Sequence, residues 1–124
     1  MSHSFYNVVH IVGIILFVAA LGGGAVRGMA DGGGDSPSTR RLLAGLHGSG
    51  LFLVLLGGFG MLARLGVMQA GGFPGWVWAK LIVWGGFTVA LSLLLRMPRL
   101  ALPILLALPV LGGVAAYMAI YKPF

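Results

Sequence analysis

The chain has 124 residues, of which 59% are hydrophobic and 8% are charged. A soluble domain carries about 25% charged residues, so this chain cannot cover itself with a polar, water-exposed surface. Eight basic and two acidic side chains give it a formal net charge of +6. The basic residues stand singly or in pairs beside apolar segments, which is typical of topology signals and lipid-headgroup contacts and argues against nucleic acid as a partner.

Several kinds of chemistry are excluded by what the chain lacks. It has no cysteine, which excludes disulfides, thiolate metal sites and cysteine nucleophiles. Its only acids, Asp31 and Asp35, both fall in one glycine-rich segment between apolar segments, so a Ser–His–acid triad or a pair of catalytic carboxylates is poorly supported. No basic segment precedes the first apolar segment, which predicts an uncleaved first span and not a signal peptide.

Four apolar segments follow one another, and each approaches the length of about 20 residues that a helix needs to cross a bilayer. They predict one domain, an all-α bundle of four transmembrane helices with glycine-rich packing. The predicted spans are residues 5–23, 42–63, 75–95 and 100–121. The glycine-rich segment 24–41 is predicted to be a solvated loop before the second span. Near the end of this segment, Ser36 suits a helix cap and Pro37 suits a first helical position. Pro109 is expected to kink the fourth span.

The basic residues of the connections predict the orientation, because Lys and Arg accumulate in cytoplasmic loops. One side of the predicted bundle carries five arginines, whereas the other carries Arg64 and Lys122, with Lys80 just inside the third span. The side with more arginines is therefore predicted to be cytoplasmic, in a bacterial inner membrane, with both termini outside. The five arginines are Arg27, Arg40, Arg41, Arg96 and Arg99.

Many of the 22 glycines fall inside the spans, where glycine lets helices in lipid approach closely. His10 and Gly13 share one face of the first span, and His47, Gly50 and Gly57 share one face of the second. These faces are predicted to meet neighbouring helices. Both histidines should then point into the bundle or into an oligomer interface, and not into lipid.

Polar groups inside a bilayer are costly, so each one is a functional candidate. His10 and Lys80 each lie roughly five residues from the outer end of their span, which is about 8 Å below the boundary. Arg64 ends the second span on that side, and Tyr117 and Tyr121 end the fourth. The four helices are thus predicted to form one polar and aromatic layer in the outer leaflet.

His47 lies near the inner end of the second span, about 15–20 Å from His10 by the helical rise. The two cannot share one metal or porphyrin, so His47 marks a second candidate site. Lys80 shares a helical face with Trp76 and Trp84, which predicts a cation–π arrangement or a flat pocket for a ring system. Ordinary membrane roles compete with these: an aromatic belt, a snorkelling lysine and histidines that join helices by hydrogen bonds.

Three short segments carry a family resemblance: a histidine early in the first span (VVHIVGIILFVAALG), a basic pair before the second (TRRLL) and Trp-x-x-x-Lys in the third (WVWAKLIV). They resemble small four-span bacterial membrane proteins, namely HemJ-type protoporphyrinogen oxidases and the CopD-like and SirB-like proteins. The resemblance implies that His10 is an axial ligand of the iron of haem b. It also implies that Lys80 belongs to the active site and pairs with a carboxylate.

The first functional hypothesis is a membrane protein that binds haem b, with a redox or porphyrin-related role. His10 would ligate the iron and Lys80 or Arg64 would meet the propionates. The second is a structural or assembly subunit, in contact with lipid and with further copies or other membrane subunits. A transport element is a third, although the spans contain no carboxylate for proton or cation coupling. The sequence leaves open whether the protein is an enzyme.

Overall fold

The computed structural model describes residues 2–31, 37–65 and 74–121. Four helices form in it, and a 3₁₀ turn (Pro98–Leu100) separates the last two. The helices are α1 (His3–Asp31), α2 (Pro37–Leu65), α3 (Gly75–Arg96) and α4 (Ala101–Tyr121). Each is long and apolar enough to cross a bilayer. The predicted fold class, an all-α multi-pass membrane bundle, is thereby confirmed.

The first two helices extend further than the predicted spans. Helix α1 continues to Asp31, and α2 begins at Pro37, in agreement with the expected first helical position. The predicted loop 24–41 is therefore helical over residues 24–31 and 37–41. Residues 32–36, which include the predicted cap Ser36, lie outside the described residues.

Packing explains why α1 stays helical through glycines that weaken a helix by about 1 kcal/mol each. Ala25 is fully buried, so the inward face of the helix continues beyond the predicted span. A Cβ at Gly24 would lie at contact distance from Leu91 of α3 and Leu43 of α2, at 3.5 and 3.8 Å. Contacts with two other helices thus offset the low propensity, which sequence composition alone does not reveal.

Helices α1 and α3 contact each other across the middle of the bundle, and each of them also contacts α2 and α4. Helix α1 packs most extensively along α2 and also contacts α3 and α4. Helix α3 contacts both α2 and α4, whereas α2 and α4 do not contact each other over the described residues. In this arrangement α2 and α4 occupy opposite corners of the bundle.

The two ends of the bundle differ in character. We call the end where α1 and α3 finish the arginine end, because it carries Arg40, Arg41, Arg96 and Arg99. The opposite end, where α1 and α3 begin, is the histidine end, and His10 and Lys80 lie in that half of the bundle. The first residue of α1, His3, and the last residue of α4, Tyr121, both belong to the histidine end.

The hydrophobic core lies nearer the arginine end. Twelve buried residues form one cluster: Phe17, Leu21, Ala25, Leu43, Leu51, Val83, Phe87, Ala90, Leu91, Leu94, Ala101 and Leu108. From Pro109 to Tyr121, α4 is helical but has no buried residue. His10 and Lys80 therefore lie beyond the close-packed cluster, in a half of the bundle where fewer side chains are buried.

Helices α1 and α2 touch backbone to backbone along three glycines, which we call the glycine seam: Gly13, Gly50 and Gly57. A Cβ at Gly13 would lie 2.6 Å from the backbone oxygen of Gly50, and a Cβ at Gly50 would lie 2.6 Å from that of Gly13. A Cβ at Gly57 would lie 2.6 Å from the backbone of Tyr6 and of His10. Real Cβ atoms do not approach so closely, so any side chain here forces the helices apart.

The substitution Gly57→Ala should lower the free energy of unfolding by about 2 kcal/mol, because the added methyl overpacks against the backbone of α1. The measurement is unfolding of the purified protein in mixed micelles of mild detergent and increasing SDS, followed by circular dichroism. The matched control is Gly48→Ala on the same helix, where an added Cβ meets no atom within 4 Å. That variant should be neutral or slightly more stable, since Ala favours a helix. Equal losses in both variants would contradict the glycine seam.

Candidate functional site

His10 reaches across from α1 to the backbone of α2. The Nδ1–H of its half-buried ring donates to the backbone oxygen of Val54 at 2.8 Å. Because a carbonyl oxygen can only accept, Nδ1 must carry the hydrogen, and the neutral ring then has its lone pair on Nε2. Histidines that bind metals usually hold their ring in this way, with the second nitrogen donating to a carbonyl or carboxylate.

Two adjacent glycines of α2 make room for this histidine. A Cβ at Gly58 would lie 3.5 Å from Cε1 and 3.6 Å from Nδ1 of the His10 ring, and the backbone of His10 lies against Gly57. Since α2 presents no side chain from these two residues, the ring can lie along the helix and reach the carbonyl of Val54. The local sequence of α2 thus fixes the orientation of a side chain on α1.

Lys80 lies at the same level of the bundle as His10. Helices α2 and α3 are antiparallel, and the indole N–H of Trp84 reaches the carbonyl of Leu51. Lys80, one turn before Trp84, is therefore level with residue 55, next to the Val54 carbonyl that His10 binds. The charge of Lys80 also lies within electrostatic range of the His10 ring. The structure thus brings together the two residues that the helical rise predicts to share a layer.

His47 lies in the core, in a different environment. Its side chain is 5% exposed, and its Nε2–H donates to the backbone oxygen of Phe87 at 2.9 Å. The ring of Phe17 stands edge-on to it, with centroids 6.3 Å apart, and also packs against Phe87 at 4.9 Å. Of the two roles considered from the sequence, this geometry favours a histidine that joins α2 to α3 over a second ligand site.

Trp84 also joins α2 to α3. Its Nε1–H donates to the backbone oxygen of Leu51 at 3.2 Å, and its ring packs against the core cluster. The sequence places Trp84 on the same helical face as Lys80, for a cation–π arrangement or a ring-binding pocket, but does not predict this bond. The acceptor is a backbone carbonyl, a group that every residue carries, so the sequence contains no signal for it.

The remaining predicted site residues are placed as follows. Trp76 is half-buried in the first turn of α3. Tyr117 and Tyr121 stack on each other with ring centroids 4.8 Å apart, and both are exposed at the histidine end, as expected of an aromatic belt. Arg64 lies in the last turn of α2, but its side chain is outside the described part of the structure, so its role stays a prediction.

Tyr6 is not among the site residues predicted from the sequence. It lies one turn before His10 on the same face of α1, and its ring covers Gly60 of α2 so closely that a Cβ there would overlap it. The spacing of four to His10 was the available signal. Tyr6 extends the contact between α1 and α2 beyond His10, toward the histidine end.

The metal-ligating side chains at this site suit a cofactor whose metal ion is already held by most of its ligands. Among the described residues, no three His, Asp or Glu side chains come together in a group that could hold a metal ion. His10 and His47 each have one imidazole nitrogen anchored to a backbone carbonyl, but of these two rings that of His10 lies outside the buried core. A porphyrin supplies four ligands to its iron and needs one axial imidazole from the protein, so this single-donor site fits haem.

Replacing Trp84 by Phe should lower the free energy of unfolding by about 1 kcal/mol, because it removes a hydrogen bond between helices but keeps most of the ring. The matched control is Thr88→Val, which also removes one side-chain bond to a backbone oxygen, from Oγ1 to Trp84 at 2.8 Å. That bond lies within α3 and on an exposed face, so its loss should change stability by only a few tenths of a kcal/mol. SDS titration of both variants measures the difference, and a larger loss in Thr88→Val would contradict it.

No family model, no curated protein and no solved structure matches this chain.

Proposed function

We propose that this protein is a membrane haem protein that binds haem b through His10, with a redox or porphyrin-related role in a bacterial inner membrane. The observation that carries the proposal is the hydrogen bond from Nδ1 of His10 to the backbone oxygen of Val54, 2.8 Å long. It fixes the ring and its tautomer, so that Nε2 is the nitrogen able to ligate iron.

His10 is the better candidate of the two intramembrane histidines. His47 is enclosed by the core and uses its own Nε2 to donate to Phe87. A porphyrin ring beside His47 would have to displace Phe17, whose ring stands edge-on to the imidazole. His10 lies in the half of the bundle where fewer side chains are buried, so a flat ring there displaces less of the protein.

Lys80 would be the partner of an acidic group on the cofactor. Its level matches that of His10, and the two lie within electrostatic range. A half-buried ammonium group at the level of His10 and inside the span suits a propionate, because a cation in a span is stabilised by an anion at short range. Arg64, in the last turn of α2 at the same end, is proposed as a second such partner.

The protein's contribution would be to bind and orient the cofactor. His10 would hold the iron, Lys80 would fix the propionate side, and the glycines opposite His10 would keep the imidazole against α2. Bound haem supplies one-electron redox chemistry, whose potential depends on the axial ligand and the polarity around it. The described residues include no carboxylate inside the spans, so proton transfer to a carboxylate is not part of the proposal.

The test is an absorption spectrum of the protein purified in mild detergent from cells that make haem, oxidised and then reduced with dithionite. We expect a Soret band in the wild type that is lost in His10→Gly, because the axial ligand is gone. Added imidazole should restore the band in this variant by occupying the space of the missing ring. His47→Gln, which keeps an N–H donor for Phe87, should retain the band.

Two results would reject the haem proposal. One is a wild-type spectrum without a Soret band, even after reconstitution with hemin. The other is a band that His10→Gly does not weaken, since the iron would then have another ligand. His3→Ala, on the exposed first turn of α1, is a further control and should leave the spectrum unchanged.

A second candidate function is a structural or assembly subunit of a larger membrane complex. It is favoured by α4, in which only Ala101 and Leu108 are buried. It is also favoured by α2, where a Cβ added at Gly45 or Gly48 would meet no atom within 4 Å outside the local helix backbone. Helices in membranes associate through such small residues. These faces are therefore available to other membrane helices as well as to lipid.

The assembly function predicts that a tagged chain, expressed at its native level and solubilised gently, is recovered with other subunits in fixed stoichiometry. Replacing Gly45 and Gly48 by Leu should then reduce that recovery, because bulky side chains hinder close approach of a partner helix. Recovery of a monodisperse single chain under the same conditions would count against this function without affecting the haem test.

A further inference from the structure

The connection between α3 and α4 is a short, ordered turn that carries two arginines. We call residues 96–99 the arginine turn. The N–H of Met97 donates to the backbone oxygen of Leu93 at 2.8 Å, and the N–H of Leu100 donates to that of Met97 at 2.9 Å. Nη2 of Arg99 also contacts the Met97 sulfur at 3.9 Å. These bonds fix the backbone from which both guanidinium groups project.

The position of the turn sets the depth of its charges. One candidate membrane span ends at Arg96 and the next begins at Ala101, so both arginines lie within a few residues of the boundary of the apolar region. Arg96 and Arg99 are both exposed. At this depth the groups that surround them are lipid headgroups, whose phosphates are anionic. The sequence contains no acidic residue after Asp35, so neither α3 nor α4 supplies a carboxylate.

Exposed apolar side chains continue from the two arginines toward the histidine end. On α3 the face that ends at Arg96 includes Val89 and Ile82, which are 54% and 75% exposed. The small side chain of Ser92, also exposed, lies between Val89 and that arginine. On α4 the exposed residues that follow the turn include Leu102 and Leu106. An exposed, largely apolar stripe thus begins at each arginine and runs along a helix. The acyl chains of a lipid bound by its headgroup at the arginines would run in the same direction.

We propose that the arginine turn binds the phosphate of an anionic phospholipid, with the acyl chains along the exposed stripes of α3 and α4. The guanidinium fork matches phosphate oxygens in geometry, and two forks on an ordered turn can share one headgroup. The apolar stripes provide the contact that a free phosphate would lack. The proposal concerns the arginine end and does not depend on haem at the histidine end.

The test is native mass spectrometry of the full chain in mild detergent, titrated with dioleoyl phosphatidylglycerol. A direct, exposed ion pair between a guanidinium and the phosphate contributes up to about 1 kcal/mol, or about fivefold in binding, so Arg96→Gln with Arg99→Gln should weaken binding by up to about thirtyfold. Binding of dioleoyl phosphatidylcholine, whose headgroup has no net charge, should be weaker in the wild type and should change little in the double variant.

The matched control is Arg40→Gln with Arg41→Gln, which removes the same charge from the same end of the bundle but on α2. It should weaken binding of phosphatidylglycerol much less than the turn variant does. Equal weakening by both pairs would mean a diffuse electrostatic attraction and would overturn a site at the turn. Unchanged binding in the turn variant, or displacement of the lipid by inorganic phosphate, would overturn it as well. The circular dichroism spectrum of each variant verifies that the helices are intact.

Discussion

The contact between the backbones of α1 and α2 is the constraint on which the other features of this bundle depend. Gly13 and Gly50 face each other without side chains, and Gly57 lies against the backbone of His10. Only at this separation can the short side chain of His10 reach the carbonyl of Val54. The same pairing fixes the rotation of α2, and that rotation directs His47 toward Phe87 of α3.

The side-chain N–H groups of His10, His47 and Trp84 join helices through backbone carbonyls, and each of these three bonds involves α2. His10 donates to it from α1, Trp84 donates to it from α3, and His47 donates from it to α3. In lipid the hydrophobic effect does not drive helices together, and each such bond contributes only about 0.6 kcal/mol on average. The close van der Waals contact at the glycines is therefore needed to bring donors and acceptors together. Helix α4 contributes none of these three bonds, and its buried residues lie toward the arginine end.

Features that follow from side-chain type and spacing could be predicted from the sequence. Apolar length predicts the four spans, the 3.6-residue period predicts which faces of α1 and α2 meet, and the helical rise puts His10 level with Lys80. The continuation of α1 to Asp31 could not be predicted, because contacts with other helices outweigh the low propensity of its glycines. The bonds to Val54 and Leu51 could not be predicted either. Every residue has a backbone carbonyl, so residue types do not indicate which carbonyl accepts.

The two intramembrane histidines illustrate how the backbone around a side chain determines its chemistry. His47 donates through Nε2 and has Phe17 against its ring, so its hydrogen bond serves the packing of the core. His10 donates through Nδ1 because the glycines of α2 let the ring lie along that helix, and its Nε2 keeps the lone pair. Since ligation needs that lone pair, the glycines opposite His10 are as much a part of the proposed haem site as the histidine. A bulkier residue at Gly57 would move the ring away from Val54, and the preference for one tautomer would be lost with the bond.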